Sequence, residues 1–347
     1  MGIFLKKASF LGIDLGSTSI KIVELKKEKG VPTLVTYGYS ERAGGDIVRG
    51  EPEKVQEETV KILKTLCQKA GVTTDQVITA LPNFSVFSSI INLPVVPQKD
   101  LKEAISWKAK KIIPIPFEEV ILDWKILEKI IVEKEKKIEN YRILITAASK
   151  NLVKRYIEIF RRINFQLRSL ETEAFALARA LVGQDPSLIM IIDTSAVSTD
   201  IIIIEKMVPI LNRSIDIGGV ALTRAIAQRL NIDFKRAEQF KRDLGLIKGN
   251  KIPTIIENTL RPVIDEIRYS INLFHSQTGR NIEKILLSGG SSYLIGLPEY
   301  LSQELEMKVL VSNPWKRVAY PEEIEPVLNE IAPRFAVAIG LALREIV

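Results

Sequence analysis

A short pattern that occurs twice constrains this chain more than anything else in it. Ile13-Asp14-Leu15-Gly16-Ser17-Thr18-Ser19-Ile20 carries an apolar strand into an aspartate, turns on small residues and returns as a strand. Ile192-Asp193-Thr194-Ser195-Ala196-Val197-Ser198-Thr199-Asp200-Ile201 does the same roughly 180 residues later, with little identity but the same shape. Two such units predict a duplicated architecture, with two similar halves facing each other. At 347 residues the chain is too long for one compact core and suits two halves with insertions.

The surrounding pattern fills in each half. Strands are expected at 10–16, 20–25 and 33–39, a helix at 53–70 stopped by Gly71, and a buried strand at 77–81 ended by Pro82. Pro82, Pro94, Pro97, Pro114 and Pro116 then punctuate a stretch with a helix over 98–112, and 118–148 reads as a hairpin about a charged turn. Residues 84–147 are therefore expected to form an inserted subdomain. A helix at 150–163, a strand at 167–170 and a helix at 172–182 follow. The second half repeats the scheme with strands at 188–193, 199–205 and 208–214, then helices at 219–230, 233–244 and 253–278. A strand at 284–287 runs into Gly289-Gly290, and helices near 297–305 and 333–346 close the chain.

Composition excludes several classes of chemistry. The formal charge of +7 and pI near 9.2 suggest an anionic partner, but Lys and Arg are interleaved with Glu throughout. The run 128–140 is mixed in sign, and no predicted helix carries a one-sided basic stripe, so nucleic acid is not an expected partner. Cys67 is the only cysteine and His275 the only histidine. An internal disulfide, a zinc site and Cys-His or Ser-His-Asp catalysis are thereby excluded in their usual forms, and a reducing cytosol is the natural home. Cys67 sits in a helical apolar pattern as a core residue, while His275 ends a long helix as a surface or capping residue. The opening residues 1–7 are too short for a signal peptide, and no apolar run approaches the ~20 residues of a membrane span. Membrane contact is expected only through partners.

The loop from Asp14 to Lys21 offers several backbone amides and three hydroxyls with little bulk, which suits an anion nest. Lys21 can add a positive charge, and Asp14 can hold Mg²⁺ through its water shell, with Asp193 opposite it. A pair of tight hairpins whose aspartates accept turn hydrogen bonds is equally compatible with these residues alone. Leu287-Ser288-Gly289-Gly290-Ser291-Ser292 adds a third small-residue turn directly after an apolar strand, where backbone can approach a flat ligand. Neither Gly-x4-Gly-Lys-Ser/Thr nor Gly-x-Gly-x-x-Gly is present, so this is not a P-loop or a dinucleotide site.

The order of phosphate hairpin, connecting helix, second phosphate hairpin, adenosine Gly-Gly and final helix resembles the actin, sugar-kinase and heat-shock-chaperone ATPase superfamily. Within it the chain resembles the PilM family of type IV pilus assembly. The resemblance rests on Ile113-Pro-Ile-Pro-Phe-Glu-Glu-Val-Ile-Leu-Asp-Trp124, Glu171-Thr-Glu-Ala-Phe-Ala-Leu-Ala-Arg-Ala180 and Ser214-Ile-Asp-Ile-Gly-Gly219. The chain also resembles the division protein FtsA, including an insertion at the same point, but it shows no membrane-targeting tail. The implied fold is α/β, an actin-like (ribonuclease H-like) two-domain ATPase fold with an FtsA-like inserted subdomain. Its implied parts are 1–83 and 148–184 for the first domain, 84–147 for the insertion, 185–330 for the second domain with a helical subdomain near 215–280, and 331–347 for a helix returning to the first domain.

The resemblance also implies ATP and Mg²⁺ as cofactors and assigns roles. Asp14, Gly16, Ser17, Thr18 and Lys21 would form the first phosphate site, and Asp193 and Ser195 the second. Gly218 and Gly219 would close over the phosphates, with Asp14 and Asp193 holding the metal through water. Glu238, Lys241, Gly289, Gly290 and Ser291 would surround adenosine. On spacing alone, Glu238 and Lys241 read as an exposed ion pair. Glu173 matches the water-orienting acid of the chaperone ATPases, though a helix dipole also favours Glu there. One departure stands out: active hydrolases of the superfamily carry glycines after the second aspartate, and this chain has Thr194-Ser195-Ala196-Val197. Tight nucleotide binding with slow or no turnover is expected. The implied function is a cytoplasmic ATP-binding adaptor, peripheral at the inner membrane. It would dock the N-terminal cytoplasmic tail of the inner-membrane protein PilN in a groove between the first subdomain and the insertion. The alternatives are an FtsA-like division protein, a filament former, or a small-molecule kinase using Asp200 or Asp216 as its base.

Overall fold

The computed structural model describes residues 8–41, 45–133, 138–249 and 251–347. The chain opens with β1 (Ser9–Leu15), β2 (Ile20–Glu28), β3 (Val31–Ser40), α1 (Pro52–Ala70) and β4 (Gln76–Leu81). Next come β5 (Val86–Pro94), α2 (Gln98–Lys110), β6 (Val120–Glu133) and β7 (Ile138–Ser149), then α3 (Lys150–Arg162), β8 (Gln166–Thr172) and α4 (Glu173–Leu177). The remainder is β9 (Ile189–Thr194), β10 (Thr199–Glu205), β11 (Val208–Ile215), α5 (Gly219–Leu230), α6 (Phe234–Leu244), α7 (Ile252–Thr278), β12 (Lys284–Ser288), α8 (Leu297–Leu305), β13 (Val309–Val311), α9 (Glu325–Ile331) and α10 (Ala336–Leu343).

The duplication is literal. One five-stranded sheet runs β3-β2-β1-β4-β8 and the other β11-β10-β9-β12-β13. In each, the first two hairpins are antiparallel and the last two strands join in parallel. Apolar runs such as Ile201-Ile-Ile-Ile204, buried on both faces, require helices above and below their sheet, and helices supply that cover. On the first sheet α1 and α3 bury Leu63, Tyr156, Ile159 and Phe160 against Leu11, Ile13 and Ile22. On the second, α5 and α7 bury Leu222, Ile226, Ile256 and Ile267 against Met190, Ile201 and Ile203. A separate core joins the two sheets, where Ile78 and Ala80 meet Ile189, Ile191, Ile202 and Leu341. A third sheet, β5-β7-β6, packs on α2 around Ile105, Ile143 and Ile145.

One expectation needs correction. The stretch Glu322–Leu343 is 22 residues long and apolar enough to cross a membrane by length and composition. It is instead the core closure of the fold: 72% of its most apolar 18 residues are buried, with every residue of α10 inside. A side chain at Gly340 would meet the Ala176 carbonyl at 1.9 Å, so only glycine lets α10 lie this close to α4. Each fully buried Ile or Leu on α10 adds about 1.5–3 kcal/mol of apolar burial. β13 and α9 carry too few periodic positions to be read in advance; Leu310 and Val311 of the three-residue β13 are exposed. The turn expected within 128–140 falls partly on 134–137, and the start of the chain on 1–7, both outside the described residues. Cys67 is buried, and His275 is exposed in the last turn of α7, where its carbonyl accepts the Gly279 amide at 2.7 Å.

Candidate functional site

Between the two sheets lies a cleft of about 730 Å³. Its walls hold Asp14, Gly16, Ser17, Thr18, Lys21, Glu173, Asp193, Ser195, Gly219, Glu238, Lys241, Gly289, Gly290 and Ser291. Every site residue expected from the sequence thus lines one cavity except Gly218, which lies behind the wall. A side chain at Gly218 would strike the Ser195 and Ala196 backbone at 2.6–2.7 Å.

Strand register builds the floor. Asp14 on β1 stands opposite Lys21 on β2, and the ammonium donates to Asp14 Oδ2 at 2.9 Å. On the other sheet Asp193 of β9 stands opposite Asp200 of β10. Asp200 is buried; it accepts from Asn83 Nδ2 at 3.1 Å and from the Ser214 hydroxyl. Glu173, the first residue of α4, accepts the Asn83 amide at 3.1 Å. These carboxylates share one low-dielectric space with Lys21 as their counter-charge. Burial, reinforced by the Asp200 charge, pushes the Asp193 carboxyl up to about 7. Burial also holds Asp200 above the usual carboxylate range and raises Glu173 well above it, with Asp200, Asp14 and Asp193 adding to the Glu173 shift.

The second hairpin is tied on itself and to α5. Ser195 Oγ accepts the amides of Val197 and Ser198 at 3.2 and 3.1 Å and donates to the Ser198 carbonyl. The Gly219 and Val220 amides donate to the Ser195 and Ala196 carbonyls at 3.0 and 2.8 Å. These first amides of α5 are therefore spent on the hairpin, which they fasten in place.

The opposite end of the cleft suits a flat ligand. Gly289 has φ +80°, and a side chain there would meet the Thr194 backbone at 2.3 Å, so glycine alone permits this approach of β12 to β9. A side chain at Gly219 would meet Ser291 Oγ at 2.9 Å and Lys241 Nζ at 3.4 Å. Lys241 Nζ donates to Glu238 Oε2 (2.7 Å), Thr223 Oγ1 (2.9 Å) and the Gly219 carbonyl (3.1 Å). Glu238 and Lys241 are thus more than an exposed ion pair: the ammonium ties α6 to α5, and burial lowers its pKa against the pull of Glu238. Arg334 reaches the mouth, 5.2 Å from the Tyr39 ring and 3.7 Å from Glu41.

Sequence reasoning missed Asn83, Thr223 and Arg334. Asn83 follows a strand-ending proline and carried no signal beyond a turn residue, and Thr223 lies in an ordinary helical pattern. Asp200 was read most simply as a hairpin residue, but it is buried and bonded across the cleft. Asp216, the other base considered for a kinase, is exposed and paired with Arg49 at 2.8 Å, outside the cleft walls.

A second groove of about 490 Å³ lies between the first sheet and the β5-β7-β6 sheet. Leu81, Val86, Ile121, Trp124, Leu144 and Phe175 give it apolar walls. At its rim Glu171 accepts both Arg179 nitrogens, at 2.8 and 3.0 Å, and Arg344 at 2.6 Å.

Comparison with known proteins fits this geometry. A family model for the type IV pilus assembly protein PilM matches residues 12–346. The solved PilM–PilN type IV pilus biogenesis complex superposes with a TM-score of 0.85 at 28% identity, covering 98% of this chain and 99% of that one. The ethanolamine utilization protein EutJ of Carboxydothermus hydrogenoformans gives 0.57 at 18% identity over 98% and 90%. MreB 5 of Spiroplasma citri, solved with AMPPNP, gives 0.55 at 12% identity over 97% and 96%. The last two speak for the shared fold alone, and that fold is actin-like.

Proposed function

We propose, on the premise that this chain belongs to the PilM family of type IV pilus assembly proteins, that it is an ATP-binding adaptor that docks the N-terminal tail of PilN. The observation that carries this is the pairing of a two-lobed cleft with a separate apolar groove on the flank of the first lobe. A likeness to a solved PilM–PilN complex over almost the whole chain supports PilN as the partner, and the groove is where we place its tail. PilN would hold the protein at the cytoplasmic face of the inner membrane. The FtsA-like and kinase alternatives are not favoured by the family match over residues 12–346.

The residues fit ATP and a divalent cation. Carboxylates that raise one another's pKa in a buried space are a donor set short of positive charge. Among the described residues no three acidic or imidazole groups converge on a metal directly, so the fit is to a cation held through water by Asp14 and Asp193. Bound there, Mg²⁺ would supply charge neutralisation for the phosphates. Lys21 would lie beside the β-phosphate, the Gly16–Thr18 loop would wrap it, and Ser195 and Gly219 would line the opposite wall. Glu238, Lys241, Gly289, Gly290 and Ser291 would border adenosine, with Gly219 leaving the space a side chain would fill. Turnover would be slow. Glu173, the candidate water-orienting acid, has its pKa raised by burial and by the charges of Asp200, Asp14 and Asp193, which works against a general base. The second hairpin presents Thr194, Ser195 and Ala196 where glycine amides would be wanted. Isothermal titration with ATP–Mg²⁺, and separately with a synthetic PilN N-terminal peptide, tests the proposal. Binding of both is expected, and failure of either at high micromolar concentration would overturn it.

A further inference from the structure

Tyr156 sits on α3, one turn after Leu152 and one turn before Phe160, and with Ile159 these residues bury that face of the helix against the first sheet. Its ring is fully buried, in the same core as Leu11, Ile13 and Ile22. For packing alone, phenylalanine would serve as well. What tyrosine adds is a hydroxyl, and a buried hydroxyl without a hydrogen bond costs stability.

Among the described residues, the buried side-chain polar atoms that no protein group bonds are the Tyr156 hydroxyl, Asn212 Oδ1, Ser270 Oγ, Ser312 Oγ and Trp315 Nε1. Of these residues only Tyr156 lines the cleft. The wall around it is drawn from three elements. Asp14 comes from β1, Glu173 opens α4, and Asp46 stands in the loop before α1. That loop is fastened over α3, since Arg155 donates to the Ile47 carbonyl at 3.0 Å and Asp46 Oδ1 accepts the Val48 and Arg49 amides at 2.8 and 3.0 Å. Burial, with the charges of Glu173, Asp14 and Asp46, raises the phenol's pKa well above its ordinary value. At neutral pH it is an uncharged hydroxyl, able both to donate and to accept.

We infer that Tyr156 is a further positioning residue of the cation site, its hydroxyl accepting a hydrogen bond from a water in the hydration shell of a divalent cation held by Asp14. This rests on the proposed function, which places that cation. Among the described residues no three acidic groups converge on an ion, so most of its shell stays water, and that water needs acceptors. A metal-bound water is a strong donor, because the cation draws charge from it. The phenol oxygen supplies an acceptor without adding negative charge to a wall that already holds Asp14, Glu173 and Asp46, and its own proton is left to turn toward them. Held in the core, the ring loses little freedom when the ion arrives.

The test is calorimetric titration of ATP in excess Mg²⁺, and separately in EDTA, with the wild type and Tyr156→Phe. Loss of one buried hydrogen bond predicts that the variant binds ATP about 5-fold more weakly in Mg²⁺ and within about 2-fold of wild type in EDTA. Thermal melts without ligand are expected to give the variant a Tm equal to or above that of the wild type, since phenylalanine removes a polar atom that the protein leaves unpaired. Equal ATP affinity of the two proteins in Mg²⁺, whatever the Tm, leaves the hydroxyl a structural role and overturns the inference, while nucleotide binding stands. An equal loss in Mg²⁺ and in EDTA also overturns it, placing the hydroxyl on the nucleotide itself. A wild type that does not bind ATP–Mg²⁺ overturns both this and the proposed function. If neither protein binds ATP in EDTA, the Mg²⁺ concentration that half-saturates ATP binding decides: it must rise about 5-fold in the variant, and an unchanged value overturns the inference.

Discussion

Asp193 and Asp200 stand directly opposite each other across the β9–β10 pair, two carboxylates in one register at the base of the cleft. Like charges so placed are tolerated because the fold withholds charge from them: Asp193 is pushed up to about 7, first by burial and then by its neighbour. The folded chain therefore binds more protons than the unfolded one between the ordinary carboxylate range and about 7. Stability of the ligand-free protein in that window falls as pH rises. Urea denaturation in EDTA between pH 5 and 8 is expected to show this fall. Asp193→Asn should flatten the slope and stabilise the empty protein at pH 8 by on the order of 2 kcal/mol.

Gly219→Ala separates binding from folding. Gly219 is the first residue of α5, where alanine is tolerated at least as well as glycine. The atoms its methyl would meet, Ser291 Oγ and Lys241 Nζ, are side-chain ends that can give. Thermal melts should show Tm unchanged or raised, while calorimetry shows ATP binding weakened about 10-fold, or ~1.4 kcal/mol.

Much of this was legible in the chain. The Asp14 and Asp193 units, the Gly289-Gly290 turn and the fold class follow from strands that end in small residues, a local pattern. The partners of these residues were not legible, because they are set by register and crossing. Lys241 meets Gly219 and Thr223 only because α6 lies on α5. Asn83 reaches Asp200 only because two strands more than 100 residues apart end at the same cleft. Gly218 shows the reverse: its motif pointed to the phosphates, and the hairpin backbone occupies the space beside it.

Glu173→Gln should scarcely alter the ATPase rate. Burial and the neighbouring carboxylates favour the neutral form of Glu173, which an amide resembles in charge and shape. Steady-state assays are expected to give a turnover below about 1 s⁻¹ for both proteins, under the usual enzyme range. A wild type well above that rate, or a large loss in the variant, would restore Glu173 as a working base.

Cys67, buried on α1 with its thiol pushed up to about 12 by burial and the Glu24 charge, should be inert. A thiol-reactive dye at pH 8 is expected to label the protein only after denaturant is added.

The central claim is that nucleotide cleft and peptide groove belong to one adaptor. Ile121 lines the groove, is 46% exposed and contributes little to the core, so Ile121→Glu alters the groove without disturbing the cleft. The direct measurement is calorimetric titration of the PilN N-terminal peptide into ATP–Mg²⁺-loaded protein, wild type against Ile121→Glu. Saturable one-to-one binding by the wild type, weakened at least about 10-fold (~1.4 kcal/mol) in a variant with unchanged ATP affinity and Tm, is the predicted result. No peptide binding at high micromolar concentration, or equal binding by both proteins, would contradict the account.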